Sequence, residues 1–198
     1  MIWKMIGAAV IAYLLGSISF GILLTRGSGK DIRKEGSGNT GATNALRVFG
    51  VRTGLITFVC DILKAVAAVL IGQALGGEYG GMLAGLFVIL GHNWPCFFGF
   101  KGGKGISCSC AVLMLNFPIP ATIAIGLCLL AIVLTRYISL GSLVMLVSYA
   151  VILCVTKAFW PYGVWAIALA LLGIIRHHAN IRRLLNGTES KVSFRKKG

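Results

Sequence analysis

Long uninterrupted apolar blocks constrain this chain more than any other feature. From Ile2 to Leu24 the only charge is Lys4, and further blocks run from about Leu55 to Leu75, Met82 to Phe98, Ile106 to Leu115, Ile119 to Thr135, Ile138 to Thr156 and Pro161 to Ile175. A helix that crosses the hydrocarbon core of a bilayer needs ~20 such residues, and most of these blocks are close to that length. With 57% hydrophobic and 12% charged residues, the chain has too little polar surface for a water-soluble domain. No small-residue cleavage site after the first block leads into a soluble mature domain, so the block reads as a span and not a signal peptide.

The fourth block is too short to cross alone, because at ~1.5 Å per residue it covers only about half of a ~30 Å core. It could be fused with the fifth across "NFPIP". The distribution of charge decides. With the two pieces separate, nine loop cations (Arg26, Lys30, Arg33, Lys34, Arg47, Arg52, Lys101, Lys104, Arg136) share one side with seven tail cations (Arg176, Arg182, Arg183, Lys191, Arg195, Lys196, Lys197), which is 16 of the 19. Fusing them would send the tail to the other face, against the positive-inside rule. The expectation is an all-α integral membrane protein, one membrane-embedded domain over residues 1–198. It has seven transmembrane helices, its amino terminus outside and its carboxyl terminus in the cytoplasm.

The same topology accounts for the net charge of +14 through anionic headgroups, so no nucleic-acid partner is expected. The six cysteines form no CxxC pair and read as small core residues, and neither a metal site nor a cofactor is called for. Gly126, Gly141 and Gly173 suit close helix contact in lipid.

Polar chemistry falls in three islands that the topology places on one face. The first, "GSGNTG" from Gly36 to Gly41, satisfies GxGxxG but lacks the preceding strand of a dinucleotide fold. What remains is backbone without side chains, whose N–H groups could converge on a phosphate. Gly36, Ser37, Gly38, Asn39, Thr40, Gly41, Thr43 and Asn44 supply backbone and polar side chains, and Arg47 lies one helical turn beyond Thr43 and Asn44. The second, "GHNWPCFFGFKGGKG", is no Walker A loop, yet Lys101 and Lys104 flank Gly102 and Gly103, with Gly105 following. His92 is a candidate acid or base, or an interfacial packing residue. In the third, "RHHANIRRLLNGTE", His177 and Asn180 are three apart and face one ligand if helical. Glu189 reads as the partner of a cation. Asp61 and Lys64, three apart within a span, read as a self-neutralising pair that orients it.

Together the stretches "DIRKEGSGNTGATNALR", "GHNWPCFFGFKGGKG" and "RHHANIRRLLNGTE" closely resemble, in order and spacing, the bacterial acyl-phosphate:glycerol-3-phosphate acyltransferase family, usually called PlsY. The resemblance implies a seven-span enzyme of phospholipid synthesis in the bacterial cytoplasmic (inner) membrane. Such an enzyme transfers a fatty acyl group from acyl phosphate to the 1-hydroxyl of sn-glycerol 3-phosphate, with its active site on the cytoplasmic side. It further implies that Ser37, Arg47, Lys104, His177 and Asn180 are catalytic and that the glycine loop of the second stretch lines the site. Where family members more often have a valine-alanine-threonine run, this chain has "ISCSC".

The expected partners are acyl phosphate, glycerol 3-phosphate and membrane lipids. Two anion sites at a membrane face, with apolar helices beside them for an acyl tail, suit such substrates. No HxxxxD pair exists, since Phe97, Arg182 and Arg183 stand five beyond the three histidines, and no Ser/His/Asp triad is available. The expected chemistry is therefore direct attack by the glycerol hydroxyl on an already activated anhydride, with orientation and charge supplied by the protein. Ser142, just past Arg136, adds a polar group, as does Ser139. An organic-phosphate transporter is the competing class, but it would place ionisable or broken-helix sites at the midplane and often an inverted repeat.

Overall fold

The structure, a computed structural model, describes residues 2–192. Of the tail cations, Arg195, Lys196 and Lys197 lie outside the described residues. The described residues form helices without strands, and the chain divides into two compact units, Met1–Asn116 and Phe117–Gly198.

In the first unit, α1 (Ile2–Ser17) and α2 (Phe20–Thr25) replace the single first span expected from the sequence. Ser19 is extended between them, so the apolar block continues while the helix does not. A glycine-rich loop leads to α3 (Ala42–Asn93), which is interrupted at Gly50 (φ 87°) and at Gly76 and Gly77 (φ 60° at the latter). Its pieces are 42–49, 51–75 and 78–93, and the last two fold back on each other. A Cβ at Gly72 would overlap the Gly80 carbonyl, and the reverse holds too. The same close approach joins α1 to residues 78–93: Gly16 faces the Val88 carbonyl and Gly91 the Tyr13 carbonyl. In lipid no water is expelled when helices meet, so backbone-to-backbone packing of this kind carries the association. A 3₁₀ turn, Cys96–Phe98, and a second glycine-rich loop then precede α4 (Ile106–Asn116).

The second unit contains α5 (Pro118–Thr135), α6 (Ile138–Thr156), α7 (Val164–Arg176) and α8 (His178–Leu185). Proline in its first turn starts α5, since that position needs no N–H partner. Helix α6 packs against both α5 and α7, with Gly141 against Ile132 and Gly173 against Leu146. Phe117, Tyr162, Trp165 and Tyr149 form an edge-to-face chain of rings at 5.5–6.3 Å.

Helices occupy all seven apolar blocks, and the disputed fourth and fifth are separate, broken at Phe117 (φ −142°). Five segments, counting Ala42–Phe98 as one, are long and apolar enough to cross a membrane, and Ile106–Asn116 is shorter. Ile119, Val133 and Leu134 stand exposed on α5, a face that water would penalise and hydrocarbon would not.

Candidate active site

The first glycine-rich loop is organised by one amide side chain. Asn44 is buried in the first turn of α3, and its Nδ2 donates to the carbonyls of Glu35 and Asn39, each at 2.9 Å, and of Ile32 at 3.3 Å. Its Oδ1 accepts the Ser37 N–H at 2.9 Å. Gly36 (φ 59°) and Gly38 (φ 70°) adopt the left-handed conformation that lets the chain coil around this side chain. At the loop's entry Arg33 clasps Asp31 (Nη2–Oδ2 2.9 Å), and these hydrogen bonds hold the Asp31 carboxyl down at about 2. Ser37, Thr43 and Arg47 are exposed, whereas Thr40 is buried. Asn44→Ala would take one hydrogen bond from each of four backbone groups, of which the Glu35 and Ile32 carbonyls keep another, from the N–H groups of Gly38 and Glu35. We expect it to cost about 1–3 kcal/mol and to speed amide exchange through residues 36–41, read by hydrogen–deuterium exchange.

The second loop wraps around the end of α3. Gly103 donates its N–H to the His92 carbonyl at 3.0 Å, and a Cβ there would overlap the imidazole. One at Gly102 would overlap the same carbonyl. Lys104 is half-buried, followed by Gly105 at φ 79°, and Lys101 is exposed. Phe98 packs with Phe49 on a small core of Ile22, Ile32 and Ala45. Arg33 also reaches the Phe98 carbonyl at 3.5 Å. The two glycine-rich loops are thus neighbours.

The sequence led us to expect loop N–H groups aimed at phosphate, but several are committed within the protein. Ser37 donates to Asn44, Gly38 to the Glu35 carbonyl, Gly41 to Asn39 Oδ1 and Gly103 to His92. Glycine is needed here for close packing and left-handed turns.

Beneath the second loop lies a buried polar cluster. Lys64 Nζ is 2.8 Å from Asp61 Oδ1 and 3.1 Å from His92 Nδ1, and Cys108 Sγ donates to the Asp61 carbonyl at 3.4 Å. Asp61, His92 and Cys108 offer three ligand atoms within 4.8 Å of one another, but the Lys64 ammonium already supplies a cation there. His92 sits under the loop, 5% exposed, and not on its surface.

In the second unit, Glu189 gathers the third motif. It accepts from Asn180 Nδ2 (2.7 Å), Ser139 Oγ (2.9 Å) and Arg183 Nε (2.6 Å). Burial works against its ionisation, but these hydrogen bonds outweigh burial and hold its carboxyl below the ordinary value. The chain returns to that point because α8 ends in a left-handed Gly187 (φ 68°), with Thr188 N–H on the Arg183 carbonyl and Gly187 N–H on that of Leu184.

His177, at the α7–α8 junction, shares its Nδ1 proton with the Gly173 carbonyl at 2.8 Å. His177 and Asn180 are buried while His178 is exposed, so one face of the motif points inward. Ser142 turns its hydroxyl onto the Ile138 carbonyl at 2.9 Å. An apolar groove of about 540 Å³, lined by Leu127, Leu143, Val147 and Val151, runs along α5 and α6 and includes no motif residue. Sequence reasoning missed Arg183 as the partner of Glu189, and Asn44 as an organiser of the loop. In both cases the signal is a polar residue beside a stretch of backbone that must turn.

The family profile for glycerol-3-phosphate acyltransferase matches residues 6–187. The chain belongs to this family. A glycerol-3-phosphate acyltransferase of Thermoanaerobacter pseudethanolicus is 46% identical over 188 residues, 93% of each chain, and one of Clostridioides difficile is 41% identical over 202 residues, 98% of each. Crystal structures of PlsY (YgiH), an integral membrane glycerol 3-phosphate acyltransferase, superpose with TM-scores of 0.88 for its glycerol 3-phosphate form and 0.84 for its lysophosphatidic acid form. Identity is 38% and 37%, and each match covers 96% of this chain and at least 95% of the other. As a member of the PlsY family, the chain is an integral membrane acyltransferase of phospholipid biosynthesis.

Proposed function

We propose that this chain transfers a fatty acyl group from acyl phosphate to the 1-hydroxyl of sn-glycerol 3-phosphate, giving 1-acylglycerol 3-phosphate and inorganic phosphate. The observation that carries the reading is that the two glycine-rich loops are neighbours, the first bearing exposed Ser37 and Arg47 and the second Lys101 and half-buried Lys104. The glycerol oxygen attacks the acyl carbonyl carbon, the new ester C–O bond forms, and the anhydride C–O bond breaks. The hydroxyl proton passes to the departing phosphate. Substrate supplies both the leaving group and the base, so the protein's contribution is orientation and charge.

In this reading Lys104 and Arg47 hold phosphate, with Lys101 at the rim, and Ser37 contacts a phosphate or carbonyl oxygen. Asn180, its amide fixed by Glu189, positions the acceptor, and His177, its Nδ1 held on the Gly173 carbonyl, fixes Asn180 or hydrogen-bonds substrate. Apolar helix faces receive the acyl tail. We place the protein in the bacterial cytoplasmic membrane with seven crossings, the amino terminus outside and the active site on the cytoplasmic face, where the cationic rim gathers soluble glycerol phosphate.

Purified protein given palmitoyl phosphate and glycerol 3-phosphate is expected to release phosphate one-for-one with lysophosphatidate. Run beside palmitoyl phosphate, acyl-CoA and acyl carrier protein thioesters should give little product. Faster turnover with either thioester would overturn the donor assignment.

A further inference from the structure

We infer that Asp61, Lys64 and His92 form a positioning device that sets both glycine-rich loops from inside the helix bundle, a role that rests on the acyl-transfer reading above. The three side chains are 1%, 5% and 5% exposed, too deep to touch a soluble substrate. A self-neutral pair that merely oriented its own helix would keep its contacts local. Lys64 does not: besides Asp61 and His92, its ammonium donates to the carbonyls of Gly16 at 3.0 Å and Ile18 at 2.7 Å. Those carbonyls lie at the break between α1 and α2, where the first N–H groups of α2 turn to Ser19 instead. Without water at that depth, carbonyls left by a helix break need a donor from elsewhere in the protein, and Lys64 is that donor.

From this ammonium two paths lead to the loops. Along one, the break sets the direction of α2, whose Gly21 lies so close to the Thr40 carbonyl that a Cβ would overlap it, while Ile22 packs with Ile32 and Ala45. Thr40 and Ile32 belong to the first loop. Along the other, Lys64 and Asp61 fix the His92 ring, which occupies the space beside Gly103, and the His92 carbonyl takes the Gly103 N–H. Gly102 packs on that same carbonyl. Asp61 supplies the balancing charge, since its Oδ1 meets both Lys64 and His92 as ion contacts without well-formed hydrogen bonds. One buried cation is therefore the common reference for two loops that are more than fifty residues apart in sequence.

The test is hydrogen–deuterium exchange on the full chain in detergent, read together with glycerol 3-phosphate kinetics. In Lys64→Gln, amides at 36–41 and at 102–105 should exchange at least tenfold faster while 51–75 stays protected. KM for glycerol 3-phosphate should rise at least tenfold, and Lys64→Arg should recover part of both effects. If Lys64→Gln leaves Asp61 unpaired and does not fold, the neutral Asp61→Asn/Lys64→Gln pair carries the same expectation. A folded variant in which only one loop or neither loosens, or in which both loosen with KM unchanged, overturns the proposal. Lack of turnover by the wild type with palmitoyl phosphate would sink the acyl-transfer reading, and the exchange comparison would still decide whether the cluster sets the loops.

Discussion

Replacing Lys104 with alanine is expected to lower kcat/KM with palmitoyl phosphate at least 100-fold and to leave the protein folded. The N–H groups of Ser37, Gly38, Gly41 and Gly103 are bonded inside the protein, which leaves more of the loops' positive potential to side chains. Lys104 is the half-buried cation of the second loop, held between Gly103 on the His92 ring and a left-handed Gly105. Removing one preorganised charge-stabilising group from a water-poor site commonly costs about 10²–10³ in rate. Lys101 is exposed, so Lys101→Ala should lose less than tenfold, and added salt should mask that loss. Lys104→Arg should fall well short of wild type, because a planar guanidinium does not fit where an ammonium sits among glycines. Wild-type rates in Lys104→Ala would remove it from the active site.

Much of the helical layout was legible because apolar length is a direct physical requirement of the bilayer. The separation of Ile106–Asn116 from Pro118–Thr135 followed from charge counting, and the structure does break the helix at Phe117. The break after Ser17 was not legible. "SISFG" has neither charge nor proline to mark it, and the residue that makes the break tolerable, Lys64, is 46 positions from Ile18. Local propensity cannot report a donor that arrives from another helix. The continuation of α3 back to Ala42 was missed for a similar reason, since Gly50 bends a helix whose first turn is polar.

At the site, residue types were easier to read than their uses. Glycine clusters between cations suggested bare amides for phosphate, but the requirement for glycine at 102 and 103 comes from the His92 backbone and ring behind them. Nothing in "KGGKG" distinguishes an amide turned outward from one turned onto a neighbour. Asn44 looked like one more donor in a polar stretch, whereas its burial and four backbone contacts make it the core of the loop. Glu189 was more transparent: one of only five acids in a chain with 19 cations, it is stable near apolar helices only with a partner, and Arg183 is that partner.

That pairing yields the other large effect. Glu189→Ala is expected to destabilise the fold by about 2–4 kcal/mol, because Asn180 and Ser139 lose a charged acceptor in a setting where Glu189 is only 7% exposed. Arg183 is 39% exposed, so water screens its share. The sign of the pH dependence follows from the lowered carboxyl. Its stabilisation is fully present above the ordinary value of 4.5 and is lost as pH falls through the lower folded value. Melting of wild type should therefore drop more steeply below that value than melting of Glu189→Gln, whose amide keeps an acceptor but cannot titrate.

Asn180→Ala should do the opposite of Glu189→Ala, keeping most of the stability while losing at least tenfold in turnover, since Arg183 and Ser139 still hold the carboxylate. If instead the two variants lose stability equally and Asn180→Ala turns over normally, Asn180 is only a structural donor. The third motif would then reach substrate through His177 alone.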